Sequence, residues 1–295
     1  MASPDPWMQY YKGYYYMTAT SGDSTVRMRK SKTLAGLYNA EFKIVLNHTL
    51  YHTWAPEFHM WNSKWYLYFT AGATKDFSSQ RIHVAESLGD DPIGPYNFKA
   101  DIHDDGYAID PSLITINNGL YLLGSFNTPG MQDLFIRPLT NPWTPNGPKV
   151  LLSSPTNPWE RTNLPINEGP EPLQHNNRTF IVYSAGACGT PDYKLGLLEF
   201  VGTDPINATH WHKNPQPVFV RNDTNHVYGP GHNGFFMSPD GSQYWIVYHA
   251  NDKPDYGCTN KRTARAKRLD WNSNGTPHFG TPDPIGLQLI APSGE

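Results

Sequence analysis

Charge is scarce in this sequence. Only 17% of its 295 residues are Asp, Glu, Lys or Arg, and they leave a net charge of −3 with no basic stripe and no acidic tail. That excludes nucleic acid as the expected partner. Long apolar runs are missing too: nothing reaches the about 18 consecutive residues a membrane-crossing helix needs, so no membrane partner is expected. Cysteine is nearly absent, with Cys188 and Cys258 alone, which allows one disulfide or two buried thiols. The start "MASPDPW" lacks an apolar leader core, and Met1-Ala2 reads as an added start in place of a removed secretion signal.

Turn formers are plentiful. There are 27 Pro and 25 Gly, and aromatics reach 14%. Pro and Gly interrupt helices, so the mixture points to many short strands joined by turns. Sequons stand at Asn47, Asn177, Asn207 and Asn222, with a weaker one at Asn274 whose Thr precedes a proline. They are read as glycosylation sites of a secreted, extracellular protein.

One unit recurs five times: a turn, a strand rich in aromatic and β-branched residues, then small or polar residues. The copies are "GYYYMTATS", "KWYLYFTAG", "GLYLLGSFN", "RTFIVYSAG" and "SQYWIVYHA". They begin roughly 50 to 65 residues apart, each followed by further strand-like segments. Upstream of each lies a proline beside a polar residue: "SPDPW", "WAPEFH", "AIDPSL", "NEGPEP" and "YGPGHN". The expectation is an all-β fold, one five-bladed β-propeller domain over residues 1–295 with its active site at the axial mouth. An ordinary β-sandwich is the alternative, but sandwiches rarely repeat one entrance motif five times.

In a propeller the first strand of each blade lines the axis, so Asp5, Glu57, Asp110, Glu168 or Glu171, and His232 are expected to converge. Carboxylates that close repel one another, and at least one pKa should rise, as an acid–base pair requires. Asp-Pro alone says little, because Asp91, Asp204 and Asp283 precede proline in plain turns. His232 has a structural reading as well, and "HWH" at His210–His212 lacks a third metal ligand nearby. Trp54 and Phe126 stand at strand ends where they could stack on a sugar. Cys188 and Cys258 follow equivalent strands of adjacent blades, which makes a disulfide reasonable. Aligned on their prolines, Glu171 is level with Glu57, a repeated position expected to bond neighbouring strand ends. The repeat leaves open which glutamate is catalytic.

The five segments "DPWMQYYKGYYYMTA", "WAPEFHMWNSKWYLYFTAG", "AIDPSLITINNGLYLL", "NEGPEPLQHNNRTFIVYSA" and "GPGHNGFFMSPDGSQYWIVYH", in this order, resemble the glycoside hydrolases of family 43. The likeness covers nearly the whole chain. It implies an inverting glycosidase with Asp5 as general base, Glu168 as general acid and Asp110 as the negative carboxylate that tunes and orients the acid. Trp54, Phe126, His232 and Arg265 would bind substrate, with Arg262 competing for the place of Arg265. No cofactor is needed for the chemistry, although a water-coordinated calcium or sodium is often found in the channel lined by His232. The first-blade segment looks most like exo-acting α-1,5-L-arabinofuranosidases, so the expected partner is plant cell-wall arabinan or arabinoxylan, met by a monomer. β-Xylosidases and arabinoxylan-debranching arabinofuranosidases share the three carboxylates, and a non-catalytic carbohydrate-binding propeller is a further alternative. Invertases fit poorly, because the arginine they carry before Asp-Pro is Ile109 here and their Glu-Cys is Glu168-Gly169. With so little chain ahead of Asp5, the ring is expected to close with a strand from the C-terminal segment, such as "IGLQLIAP", or to close loosely.

Overall fold

The computed structural model describes residues 2–102 and 106–295, and Met1 lies outside the described residues. Blade 1 holds β1 (Trp7–Tyr11), β2 (Tyr14–Thr18), β3 (Thr25–Ser31) and β4 (Lys43–Asn47). Blade 2 holds β5 (Tyr51–Trp61), β6 (Lys64–Gly72), β7 (Gln80–Ser87) and β8 (Tyr96–Asp101). Blade 3 adds a fifth strand: β9 (Ala108–Ile116), β10 (Gly119–Thr128), β11 (Met131–Asn141), β12 (Thr144–Pro145) and β13 (Val150–Ser153). Blade 4 holds β14 (Asn167–His175), β15 (Arg178–Ala185), β16 (Lys194–Phe200) and β17 (Trp211–Lys213). Blade 5 holds β18 (Tyr228–Met237), β19 (Tyr244–Asn251), β20 (Thr263–Trp271) and β21 (Pro277–His278). The chain is a five-bladed β-propeller, as its repeat implies.

Each blade is antiparallel and buried on both faces, which is why its middle strands are apolar on successive residues rather than alternately. Five apolar clusters fill the five gaps between neighbouring blades. Phe58 and Trp65 pack against Trp7 and Tyr16 between blades 2 and 1, and Phe236 and Trp245 pack against Met8 and Tyr15 between blades 5 and 1. The inner strands β1, β5, β9, β14 and β18 touch in sequence, and β18 returns to β1.

The small or polar residue that ends each repeat strand has a defined task. It bonds the next blade's inner strand beside the axis, closing a ring of side-chain-to-backbone hydrogen bonds. Thr18 Oγ1 donates to the Pro56 carbonyl, Thr70 Oγ1 accepts from Asp110 N–H at 3.2 Å, and Ser125 Oγ donates to the Asn167 carbonyl at 2.9 Å. Ser184 Oγ accepts from His232 N–H at 2.7 Å, and His249 Nδ1 accepts from Asp5 N–H at 3.2 Å. Strand ends interrupted by bulges leave backbone groups that need such partners.

Closure differs from the expectation. The segment "IGLQLIAP" forms no strand, and the outer strand of blade 5 is the two-residue β21. The N-terminus closes the ring instead, through Ser3 N–H to the Arg262 carbonyl at 3.0 Å and a bridge between Ala2 and Thr263. Prolines at 282, 284 and 292 keep the C-terminal segment irregular. It runs past a cavity of about 740 Å³ between blades 1 and 5, lined by Met8, Leu37, Ala264 and Leu289 among others.

Candidate active site

The repeated prolines share a backbone device. The residue before each has a left-handed φ: Asp5 +53°, Ala55 +42°, Asp110 +56°, Gly169 +54° and Gly229 +56°. A left-handed non-glycine residue stores roughly 1–3 kcal/mol of strain, tolerated only where the surroundings over-determine it. Register breaks in β5, β9, β14 and β18 fall at the same places. The kinks turn Asp5 and Asp110 into the mouth. Blade 4 has glycine at that position, and the carboxylate comes from Glu168, one residue earlier. Gly169 adopts that φ without strain, and a Cβ there would lie 3.3 Å from His232 Nδ1.

Asp5 is buried at 8% exposure and surrounded by donors. Arg262 Nη1 donates to Oδ1 at 2.8 Å and Thr20 Oγ1 to Oδ2 at 2.6 Å, while His232 Nδ1 lies 3.4 Å from Oδ1. Burial works to raise its pKa, but Arg262 above all, with His232, outweighs it and holds Asp5 well below the usual carboxylate range. His249 is pushed down to about 4 by burial and Arg262. A neutral ring whose Nδ1 accepts the Asp5 N–H is no donor to the carboxylate, so Arg262 and Thr20 are its principal donors.

Asp110 and Glu168 behave oppositely. Burial raises Asp110 to about 7, with Glu168 and Asp5 adding to the effect against the pull of His232. Its Oδ2 accepts the Gly169 N–H at 3.0 Å. Burial also raises Glu168, although Tyr193 Oη donates to Oε1 at 2.7 Å and Gln132 Nε2 to Oε2 at 2.9 Å. Both carboxyls are thus raised, and Glu168 is among the charges that raise Asp110. His232 sits among these groups. Burial alone would lower its pKa, but Asp5, Asp110, Glu168 and Glu57 together raise it.

Glu57 and Glu171, expected to bond neighbouring strand ends, instead face one another from blades 2 and 4, each 3% exposed, with His59 Nε2 2.8 Å from Glu57. Two carboxyls in contact can bond only if one keeps a proton, and burial followed by Glu57 pushes Glu171 well above its ordinary value.

The other sequence candidates scatter. Trp54 is half-buried beside Phe77, ring centres 5.2 Å apart, and its neighbour Ala55 donates its N–H to Thr20 Oγ1. Phe126 packs edge-on against Phe135. Arg265 lies away from Asp5, bonded to Asp252 Oδ1 at 2.6 Å, and Arg262 occupies the mouth instead, because it precedes β20 and points back to the axis. Asn47, Asn177 and Asn207 are exposed and Asn222 is partly so. Cys188 and Cys258 are bonded to each other. Thr20, Tyr107, Gln132, Tyr193 and His249 were not singled out. Thr20 and His249 lie in the tails of the repeat strands, which is a readable signal, whereas Gln132, second in β11, and Tyr193, just before β16, carry none.

Among the described residues no group of three or more His, Cys, Asp or Glu could hold a calcium or sodium ion directly, so the ion that the resemblance implies would be held at His232 through waters. No step below passes through one.

An ionised carboxylate opposite a carboxyl pair that retains a proton can activate water on one side and protonate a leaving group on the other. The comparisons agree with this chemistry. Residues 1–277 match the model of the Glycosyl hydrolases family 43. The chain is 37% identical to an extracellular exo-alpha-(1->5)-L-arabinofuranosidase of Streptomyces avermitilis, over 94% of this chain and 61% of that protein. It is 34% identical to alpha-L-arabinofuranosidase 43 of Humicola insolens, over 93% of this chain and 60% of that one. It thus spans about three fifths of the length of these curated relatives. An alpha-L-arabinofuranosidase structure from Lactobacillus brevis superposes with a TM-score of 0.91 at 31% identity, covering 97% of this chain and 96% of the other. Fold, mouth and sequence agree, and the chain belongs to glycoside hydrolase family 43.

Proposed function

We propose that this propeller is an inverting α-L-arabinofuranosidase that releases terminal arabinofuranose from α-1,5-linked arabinan or its oligosaccharides. Asp5 is the general base and Glu168 the general acid. Asp110 orients and tunes the acid, through the Gly169 N–H and through its own charge. The observation that carries this reading is the opposite proton load of the two sides: Asp5 is held far down by Arg262, while burial raises Glu168. In a single displacement, Asp5 takes a proton from a water that attacks the anomeric carbon, and Glu168 gives its proton to the departing glycosidic oxygen. Inverting enzymes keep these carboxyls about 6.5–9.5 Å apart to admit that water.

The preference for arabinan follows from similarity to relatives named as arabinofuranosidases, two of them exo-α-1,5 enzymes. Their description as extracellular supports secretion, as do the four sequons. Trp54 precedes Ala55, whose N–H bonds the Thr20 that serves the base, and would offer the substrate an aromatic face. A substrate panel of linear arabinan, arabinoxylan and xylo-oligosaccharides tests the reading. Arabinose from linear arabinan is expected, and Asp5→Ala or Glu168→Ala should lower the rate by about 10²–10⁴. Proton NMR should show a first product of inverted anomeric configuration; a retained one refutes single displacement.

A further inference from the structure

Tyr193 and Arg262 occupy equivalent places in blades 4 and 5. Each is the residue immediately before the third strand of its blade, β16 or β20, and each delivers a hydrogen bond to one carboxylate of the mouth. Tyr193 serves Glu168 and Arg262 serves Asp5. The loops that end in these residues, 186–193 and 252–262, carry the two cysteines. Cys188 lies five residues before Tyr193, and Cys258 four before Arg262. The disulfide therefore fastens the acid's support to the base's support.

Apart from the bridge, the second loop is held at its two ends, by Arg265 on Asp252 at 2.6 Å and by Ser3 N–H on the Arg262 carbonyl at 3.0 Å, and its middle has little support. Residues 252–261 are partly or fully exposed, and none joins an apolar cluster. Local bonds shape it, Asn251 Nδ2 to the Gly257 carbonyl at 3.0 Å and Arg262 Nε to the Thr259 carbonyl at 3.2 Å. Such a segment opens easily unless tied. At the other end the fit is tight: Tyr193 is 1% exposed, and a Cβ on Gly231 would fall 2.3 Å from its ring. Its ring also lies parallel to His249, with centres 5.8 Å apart.

We propose that the Cys188–Cys258 bridge is a positioning element for catalysis, holding Tyr193 on Glu168 and Arg262 on Asp5 together. The proposal rests on the hydrolytic reading above. Glu168 is faced by Gln132, Tyr193, Tyr107, Asp110, Asp5 and His232, and Asp5 by Arg262, Thr20, His232 and His249. Of these, the groups at the ends of the bridged loops are Tyr193 and Arg262. Loosening the loops withdraws one donor from each carboxylate. Loss of the Tyr193 donor favours the protonated form of Glu168, so the alkaline limb of the rate profile moves to higher pH.

The test compares wild type, wild type reduced with dithiothreitol, and Cys188→Ser/Cys258→Ser, assayed on an aryl arabinofuranoside at a temperature where circular dichroism shows each folded. The expected result is a fall in kcat of about 10- to 100-fold, the size that small misplacements produce, with KM changed far less. The alkaline limb should shift upward, and Tyr193→Phe, which keeps the bridge, should reproduce that shift. A folded bridge-free protein with unchanged kcat and unchanged limb overturns the proposal, as does Tyr193→Phe leaving the limb in place. A crystal structure of the double variant decides it independently of activity: Tyr193 Oη still on Glu168 and Arg262 still on Asp5 would overturn it. Wild type inactive on every arabinofuranoside would instead defeat the proposed function.

Discussion

Replacing Glu171 by glutamine should remove a pH dependence from the stability of this protein. Glu171 is buried against Glu57, and its folded-state pKa lies well above the ordinary value near 4.5. Between those two pKa values the folded state binds more protons than the unfolded chain, so stability falls as pH rises. One proton corresponds to a slope of about 1.4 kcal/mol per pH unit across that window. Glu171→Gln keeps the shape and a donor for Glu57 but cannot ionise, so its slope should be shallower by that amount. With an unfolding entropy of about 2.1 cal/mol/K per residue, about 1 kcal/mol moves the Tm of a 295-residue chain by roughly 1.5–2 °C. Wild type should therefore lose about 2–3 °C more than Glu171→Gln for each pH unit above 5, within the window, in scanning calorimetry. Both proteins should converge near pH 4.5, where an unfolded glutamate takes up its own proton. Parallel Tm–pH lines for the two proteins would refute the shared-proton reading, and Glu57→Gln offers the reciprocal check.

Arg262→Ala leaves Asp5 buried without its main counter-charge, and breaking such a pair costs about 3–5 kcal/mol, measurable by urea unfolding. The acidic limb of kcat/KM should also move to higher pH, because the base then protonates more readily; an unmoved limb would show that Arg262 does not hold Asp5 down. Gly169→Ala should destabilise by about 1–3 kcal/mol, through its left-handed φ and its approach to His232; unchanged unfolding would mean the mouth relaxes freely. Ser184→Ala strands the buried His232 N–H, at a cost of about 1–3 kcal/mol in the same assay. If that cost is absent, the bond ring does not help to hold the blades.

Much of the site was legible because the fold repeats. Proline-marked entrances placed Asp5, Asp110, His232 and the pair Glu168 and Glu171 at one mouth before any coordinates, and resemblance chose Glu168. The polar tails of the repeat strands were visible as well, although their ring of bonds was not. Arg262 and Arg265 compete for one place in the sequence, since a residue just outside a strand shows its direction only when the strand's start is known. Tyr193, at a loop end, and Gln132, in a strand outside the repeated motif, leave no periodic trace.

The sequence by itself determined the blade count, the all-β architecture and the carboxylates, since these follow from a repeated local pattern of turn, apolar strand and proline. Tertiary structure alone decided how the ring closes, which glutamates face one another and which arginine supports the base. Those outcomes depend on distances between residues as far apart as Asp5 and Arg262, and on burial in common surroundings. No local pattern encodes a separation set by five blades meeting at one axis.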